Sequence, residues 1–162
     1  MIHMLNILKN VHASKYGKTS LMFSHITVGS NDLDTAEAFY DAVLEPIGLK
    51  QREVIPDGGP EARCWVKDEA KFPRFFVYSP FDKSEANAGN GSMVAFLAGS
   101  PSSVDRAYEA GLDKGGTCEG KPGPRDHYAK GYYGAYLRDP DGNTIHIAYR
   151  GDFLSLPSEL DG

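Results

Sequence analysis

Apolar and polar residues alternate over 23–29, which places Ile26 and Val28 on one face of an expected strand and His25 and Thr27 on the other. The period then changes. Ala36, Phe39, Tyr40, Val43 and Leu44 fall at i, i+3, i+4, i+7 and i+8, the stripe of an amphipathic helix. Asp34 and Glu37 fit a capping box at its start, with Leu33 as the staple residue, while Pro46 and Gly48 stop it. Strands are expected over 49–55, 62–66 and 74–78, and the run Asp57-Gly58-Gly59-Pro60 turns the chain between the first two.

The same order then returns. Residues 92–98 alternate, with Val94 and Phe96 on one face and Met93 and Ala95 on the other. Ser100 caps a second helix with Pro101 at its first position; Val104, Ala107 and Tyr108 form its stripe, and Gly111 is expected to close it. Gly115-Gly116 opens a strand, and a Gly/Pro/Lys loop runs to about His127. An aromatic strand over 132–137 passes through the turn Asp139-Pro140-Asp141-Gly142-Asn143 into a last strand. There Ile145, Ile147 and Tyr149 share the core face, and His146 points the other way with Thr144 and Ala148. One constant shift sets His25 over Met93, Val28 over Phe96 and Gly48 over Gly116, so the chain reads as two βαβββ modules of α+β class. The modules span 22–81 and 92–150, joined by a linker at 82–91, with an N-terminal extension over 1–21 and a C-terminal tail over 151–162.

Composition narrows the class. A chain of 162 residues, 41% hydrophobic and 24% charged, suits one globular domain or two small modules sharing a core. A net charge of −5 without a basic stripe argues against a nucleic-acid partner. No apolar run approaches the roughly 20 residues of a membrane-spanning helix, so no membrane partner is expected. Cys64 and Cys118 are too few for a disulfide framework and are expected as reduced thiols in a cytoplasmic protein. Residues 1–21 lack the ordered regions of a secretory signal, and Met22 leads directly into the first strand. Met22 is therefore the expected natural start; an intact mass from the native source that includes residues 1–21 would refute this.

Phe23-Ser24-His25-Ile26-Thr27-Val28, the helix around Phe39-Tyr40, Gly91-Ser92-Met93-Val94-Ala95-Phe96 and the closing Asp139-Pro140-Asp141-Gly142-Asn143 together resemble the vicinal oxygen chelate superfamily. That superfamily holds the glyoxalase I, bleomycin-resistance and extradiol-dioxygenase proteins, and the similarity runs from about residue 22 to 150 with both modules in order. The resemblance implies that the modules pair into a cup-shaped, incompletely closed mixed sheet. In metal-dependent members it implies a metal held from the first and fourth strands of each module. Residue by residue, His25 matches; Met93 stands where His is expected; His146 stands where Glu is usual; and Phe76 or a neighbour fills the fourth place. The resemblance thus implies a divalent ion (Zn, Ni, Fe or Mn) held by His25 and His146, although catalytic zinc normally takes three protein ligands. His127, on a loop, is the third imidazole considered, and His25, His127 and His146 form the candidate catalytic set.

Phe76, Met93, Tyr128, Tyr132 and Tyr133 form the candidate ligand pocket, and Tyr136 could add a further ring. Arg74 and Arg125 are candidate partners for a ligand carboxylate or phosphate. Two functions stay open. One is a glyoxalase-like, metal-assisted lyase or related enzyme, in which the metal stabilises an oxyanion of a substrate with vicinal oxygens. The other is a metal-free protein that binds a small molecule in the same cup for resistance or sequestration. A homodimer assembled through the cup edges is expected from the resemblance.

Overall fold

The computed structural model of the protein describes residues 22–68 and 70–151; the extension over 1–21 and the tail beyond Gly151 lie outside the described residues. The first module runs β1 (His25–Gly29), α1 (Leu33–Leu44), a 3-10 turn (Glu45–Ile47), β2 (Leu49–Arg52), β3 (Ala62–Lys67) and β4 (Arg74–Tyr78). The second runs β5 (Met93–Ala98), α2 (Pro101–Asp113), β6 (Thr117–Pro124), β7 (Tyr132–Arg138) and β8 (Thr144–Arg150). Each builds a four-stranded mixed sheet, ordered β1-β4-β3-β2 and β5-β8-β7-β6, that is not closed into a barrel. β1 lies parallel to β4 and β5 parallel to β8, while the remaining neighbours are antiparallel. The fold is α+β, with the same topology in both modules.

Local chemistry accounts for the element ends, and it moves some of the expected ones. Asp32, in extended backbone, caps α1 by accepting from the amides of Asp34 and Thr35. Asp34 and Glu37, expected as the capping box, instead both pair with Arg63 of β3 and tie the helix to its sheet. α2 starts at the Ser100 cap as expected but runs past Gly111 to Asp113. Gly111 is a packing residue: a Cβ there would stand 2.7 Å from Leu137 Cδ1 and 3.0 Å from Val43 Cγ2. β6 occupies much of the stretch expected as loop. Its pairing with β7 slips at two places between Cys118 and Gly123, so its glycines and prolines mark an irregular strand. β2 ends at Arg52, short of the expected residue 55.

One apolar core serves both modules. α1 packs on α2, and each sheet lays one face on this helix pair, so that Phe39, Tyr40, Trp65 and Phe75 join Phe96, Val104, Leu137, Ile145 and Ile147. Burying each such large side chain contributes roughly 1.5–3 kcal/mol. Phe75 and Phe96 meet edge to face across the module boundary, 5.0 Å between centroids.

The closing turn locks the modules together. Gly142, at φ 87°, lets the chain turn so that the 3% exposed Asp139 accepts from the amides of Asp141 and Asn143. The same carboxylate accepts from Asn143 Nδ2 at 2.8 Å and from the Tyr40 hydroxyl of α1 at 2.7 Å. Asn143 Nδ2 also donates to the Gly29 carbonyl, and Asp141 accepts from the Asn31 amide and side chain. Burial pushes the Asp139 carboxyl upward against these hydrogen bonds. The Tyr40 hydroxyl is held well above its ordinary range, first by burial and then by the Asp139 charge.

Candidate functional site

With one face of each sheet on the helices, strand alternation decides what the other face presents. On the first sheet, cross-strand neighbours pair His25 with Arg74 and Thr27 with Phe76; on the second, Met93 with Thr144 and Ala95 with His146. Thr27 and Ala95 hold the same place in their modules, so Phe76 is the structural counterpart of His146. The register thereby selects Phe76 over its neighbours. The four corresponding places carry His25, Phe76, Met93 and His146.

His25 is exposed. Its Nδ1 lies 2.8 Å from Ser24 Oγ, and its ring meets Phe76 edge to face at 5.8 Å. It opens onto a groove of about 650 Å³ beside Thr27, Tyr78 and Phe81, lined wholly by the first module and the linker.

His146 is the opposite case, 2% exposed. Its Nδ1 lies 2.9 Å from the Ala135 carbonyl, which can only accept, so that nitrogen carries the proton. Nε2 is then the acceptor, and Tyr132 donates its hydroxyl to it at 2.8 Å. The imidazole stacks on Tyr136 at 4.1 Å and lies parallel to Tyr132 at 5.9 Å. Gly134 makes room for it, because a Cβ there would stand 2.5 Å from its Cε1. Burial, helped by the Arg125 charge, lowers the His146 pKa against the Ala135 hydrogen bond that raises it. His146 is therefore a neutral, fully bonded imidazole at neutral pH.

The tyrosines divide between the two faces. Tyr136 donates to the exposed Tyr128 at 3.2 Å, and burial together with that neighbour pushes its hydroxyl up to about 12. Tyr128 also packs edge-on against Tyr132, 5.3 Å between centroids. His127 is exposed, its ring 4.2 Å from that of Tyr128. The Arg125 guanidinium lies 6.0 Å from the Tyr136 ring, and that of Arg150 lies 5.1 Å from the Tyr132 ring. Tyr133 turns the other way: it donates to Asp105 of α2 and packs against the core, away from Tyr132 and Tyr136. Met93 and Leu97, 49% and 46% exposed, leave an apolar row on the edge strand β5.

The structure thus brings His25 and Phe76 together on one sheet, and Tyr128, Tyr132 and His146 together on the other. Among the described residues no group of three or more His, Cys, Asp and Glu side chains is placed to hold a metal. Phe76 has no donor atom, Met93 offers a thioether suited to soft Cu(I), and both nitrogens of His146 are engaged. This donor set does not fit a divalent zinc, nickel, iron or manganese ion. Arg52 and Cys64, absent from the sequence-based set, share the outward face of the first sheet with Phe76. The pattern held no cue to them, because alternation fixes the parity of one strand but not its register against the next.

Comparison with known proteins agrees with this architecture. The profile of the Glyoxalase/Bleomycin resistance protein/Dioxygenase superfamily matches residues 22–147. A solved glyoxalase/bleomycin resistance protein from Albidiferax ferrireducens T118 is 39% identical, with a TM-score of 0.67, covering 80% of this chain and 98% of that one. A glyoxalase-related enzyme from Fulvimarina pelagi is 21% identical, with a TM-score of 0.58, covering 78% of this chain and 86% of that one. A lactoylglutathione lyase from Agrobacterium tumefaciens is 22% identical, with a TM-score of 0.56, covering 86% of this chain and 99% of that one. These last two likenesses speak to the fold alone. No curated protein matches at a significant level. With its repeated βαβββ topology, the profile match and the 39% identical relative, the chain belongs to the glyoxalase/bleomycin resistance protein/dioxygenase superfamily.

Proposed function

We propose that this protein binds a small organic molecule on the outward faces of its sheets, without a resident metal. The observation that carries this reading is the bonding of His146: a ligating imidazole needs a free lone pair, and its only lone-pair nitrogen accepts from Tyr132. Ring faces and apolar side chains take the remaining places, with Phe76 and Met93 as counterparts in register to the two imidazoles. Such surfaces suit a partly aromatic ligand.

A second copy of the chain closing the cup is part of the proposal. Among the described residues, β1 and β5 each have a sheet edge with no strand paired to it, and β5 presents the exposed Met93 and Leu97. A cytoplasmic place suits the two free thiols, Cys64 and Cys118.

The metal-assisted lyase is the second reading, and one observation favours it: among the described residues only Ser24 hydrogen-bonds the exposed His25 ring. Metal content of untagged protein, measured by plasma mass spectrometry after incubation with Zn, Ni, Fe or Mn, separates the two. We expect no stoichiometric metal to be retained. Near-stoichiometric metal that is lost in both His25→Ala and His146→Ala would overturn the metal-free reading in favour of the lyase.

A further inference from the structure

The outward face of the first sheet is a grid with a distinct charge. Across its strands one row runs Lys50, Val66, Arg74, His25, and the next runs Arg52, Cys64, Phe76, Thr27. Cationic residues from β2 and β4 thus frame an apolar middle, on a chain whose net charge is −5. Lys50 is neutralised by Asp68 at 3.2 Å. The two arginines differ. Arg74 spends Nε on the Lys71 carbonyl and lies over the Phe72 ring, and among the described residues Arg52 reaches only the Asp68 carbonyl, at 3.5 Å. Among the described residues neither guanidinium has a carboxylate at ion-pair distance. Both act on the same buried atom: burial pushes the Cys64 thiol up, and Arg74 and Arg52 oppose that shift. A cavity of about 340 Å³ lies over this spot; its wall includes Arg52, Arg74, Cys64, Phe76 and Tyr78 and also the carboxylates of the exposed Glu53 and Asp57, against which a bound anion must be held by the two guanidiniums.

We infer that Arg52 and Arg74 form an anion subsite, and that the ligand is a small organic acid whose carboxylate or phosphate bridges the two guanidiniums while its body packs on Phe76 and Tyr78. Two like charges facing one apolar floor repel each other, and a bridging anion converts that repulsion into attraction on both sides. The planar fork of each guanidinium matches the oxygens of either group. The cavity volume falls within the range of small-molecule pockets. The inference rests on the reading of this face as a ligand site and adds the chemical class of what it takes.

Titration of the 15N-labelled full chain with benzoate, phenyl phosphate and the neutral benzamide tests it, with the amides of Cys64, Phe76 and Tyr78 as reporters. We expect at least one anion to shift these amides and to bind about tenfold or more tighter than benzamide. Arg52→Gln and Arg74→Gln should each remove about tenfold of that affinity and leave benzamide unchanged, with their own spectra confirming the fold. The stronger of benzoate and phenyl phosphate identifies the anionic group. If benzamide binds as tightly as the anions and the variants change nothing, the anion subsite is overturned while the ligand face stands. If none of the three moves these amides, the ligand-face reading fails with it.

Discussion

The lock between the modules can be measured by a double-mutant cycle on Tyr40 and Asp139. Tyr40 has no exposed surface, and its hydroxyl donates to Asp139 Oδ2 at 2.7 Å. Tyr40→Phe deletes one hydrogen bond to a carboxylate, worth about 1.5–3 kcal/mol. Asp139→Ala removes that bond and three more, from Asn143 Nδ2 and the amides of Asp141 and Asn143. It also strands the Tyr40 hydroxyl in the core, so we expect a loss of about 3–5 kcal/mol. In the double variant no hydroxyl is stranded, and the loss should fall short of the sum of the singles by about 1–2 kcal/mol. Urea unfolding followed by Trp65 fluorescence reads this directly, since Trp65 is the only tryptophan and lies 5.6 Å from Tyr40. Additivity within about 0.5 kcal/mol, or a Tyr40→Phe variant as stable as the parent, would refute the lock.

Two further outcomes follow from the packing and from His146. Because burial lowers the folded-state pKa of His146, the unfolded chain binds more protons below about pH 6.5, and stability should fall as pH drops through that value until the folded imidazole itself protonates. Urea midpoints between about pH 7.5 and 5.5 check this; His146→Gln should lose that slope, and an unchanged slope would assign it to other groups. Gly111→Val should destabilise by about 1–3 kcal/mol despite its gain in helix propensity, because the new side chain meets Leu137 and Val43. A thermal scan showing equal or higher stability would mean that the helix pair has room to give.

The pattern along the chain by itself determined the two βαβββ modules, both helical stripes, and the core faces of β1, β5 and β8, but not that of β7, where the candidate pocket groups Tyr132 and Tyr133 although they lie on opposite faces. These are properties of period, and a residue such as Ile145 or Phe96 reports its face through its immediate neighbours. Element ends were less legible where one residue type serves two purposes. Asp34 reads as a cap beside the true cap Asp32, and Gly111 reads as a helix stop although it lies inside α2 where the two helices meet. The candidate positions came from the resemblance as His25, Met93, His146 and Phe76 or a neighbour; the strand register narrowed the last to Phe76, and there the sequence ran out. Whether His146 presents a free nitrogen depends on Tyr132 across the sheet and on the carbonyl of Ala135, contacts that only register and tertiary packing create. Arg52, Cys64 and Arg74 come together for the same reason. Residues far apart in the chain become neighbours only when β2, β3 and β4 pair in one register, and a shift of one residue would turn one of them onto the helix side.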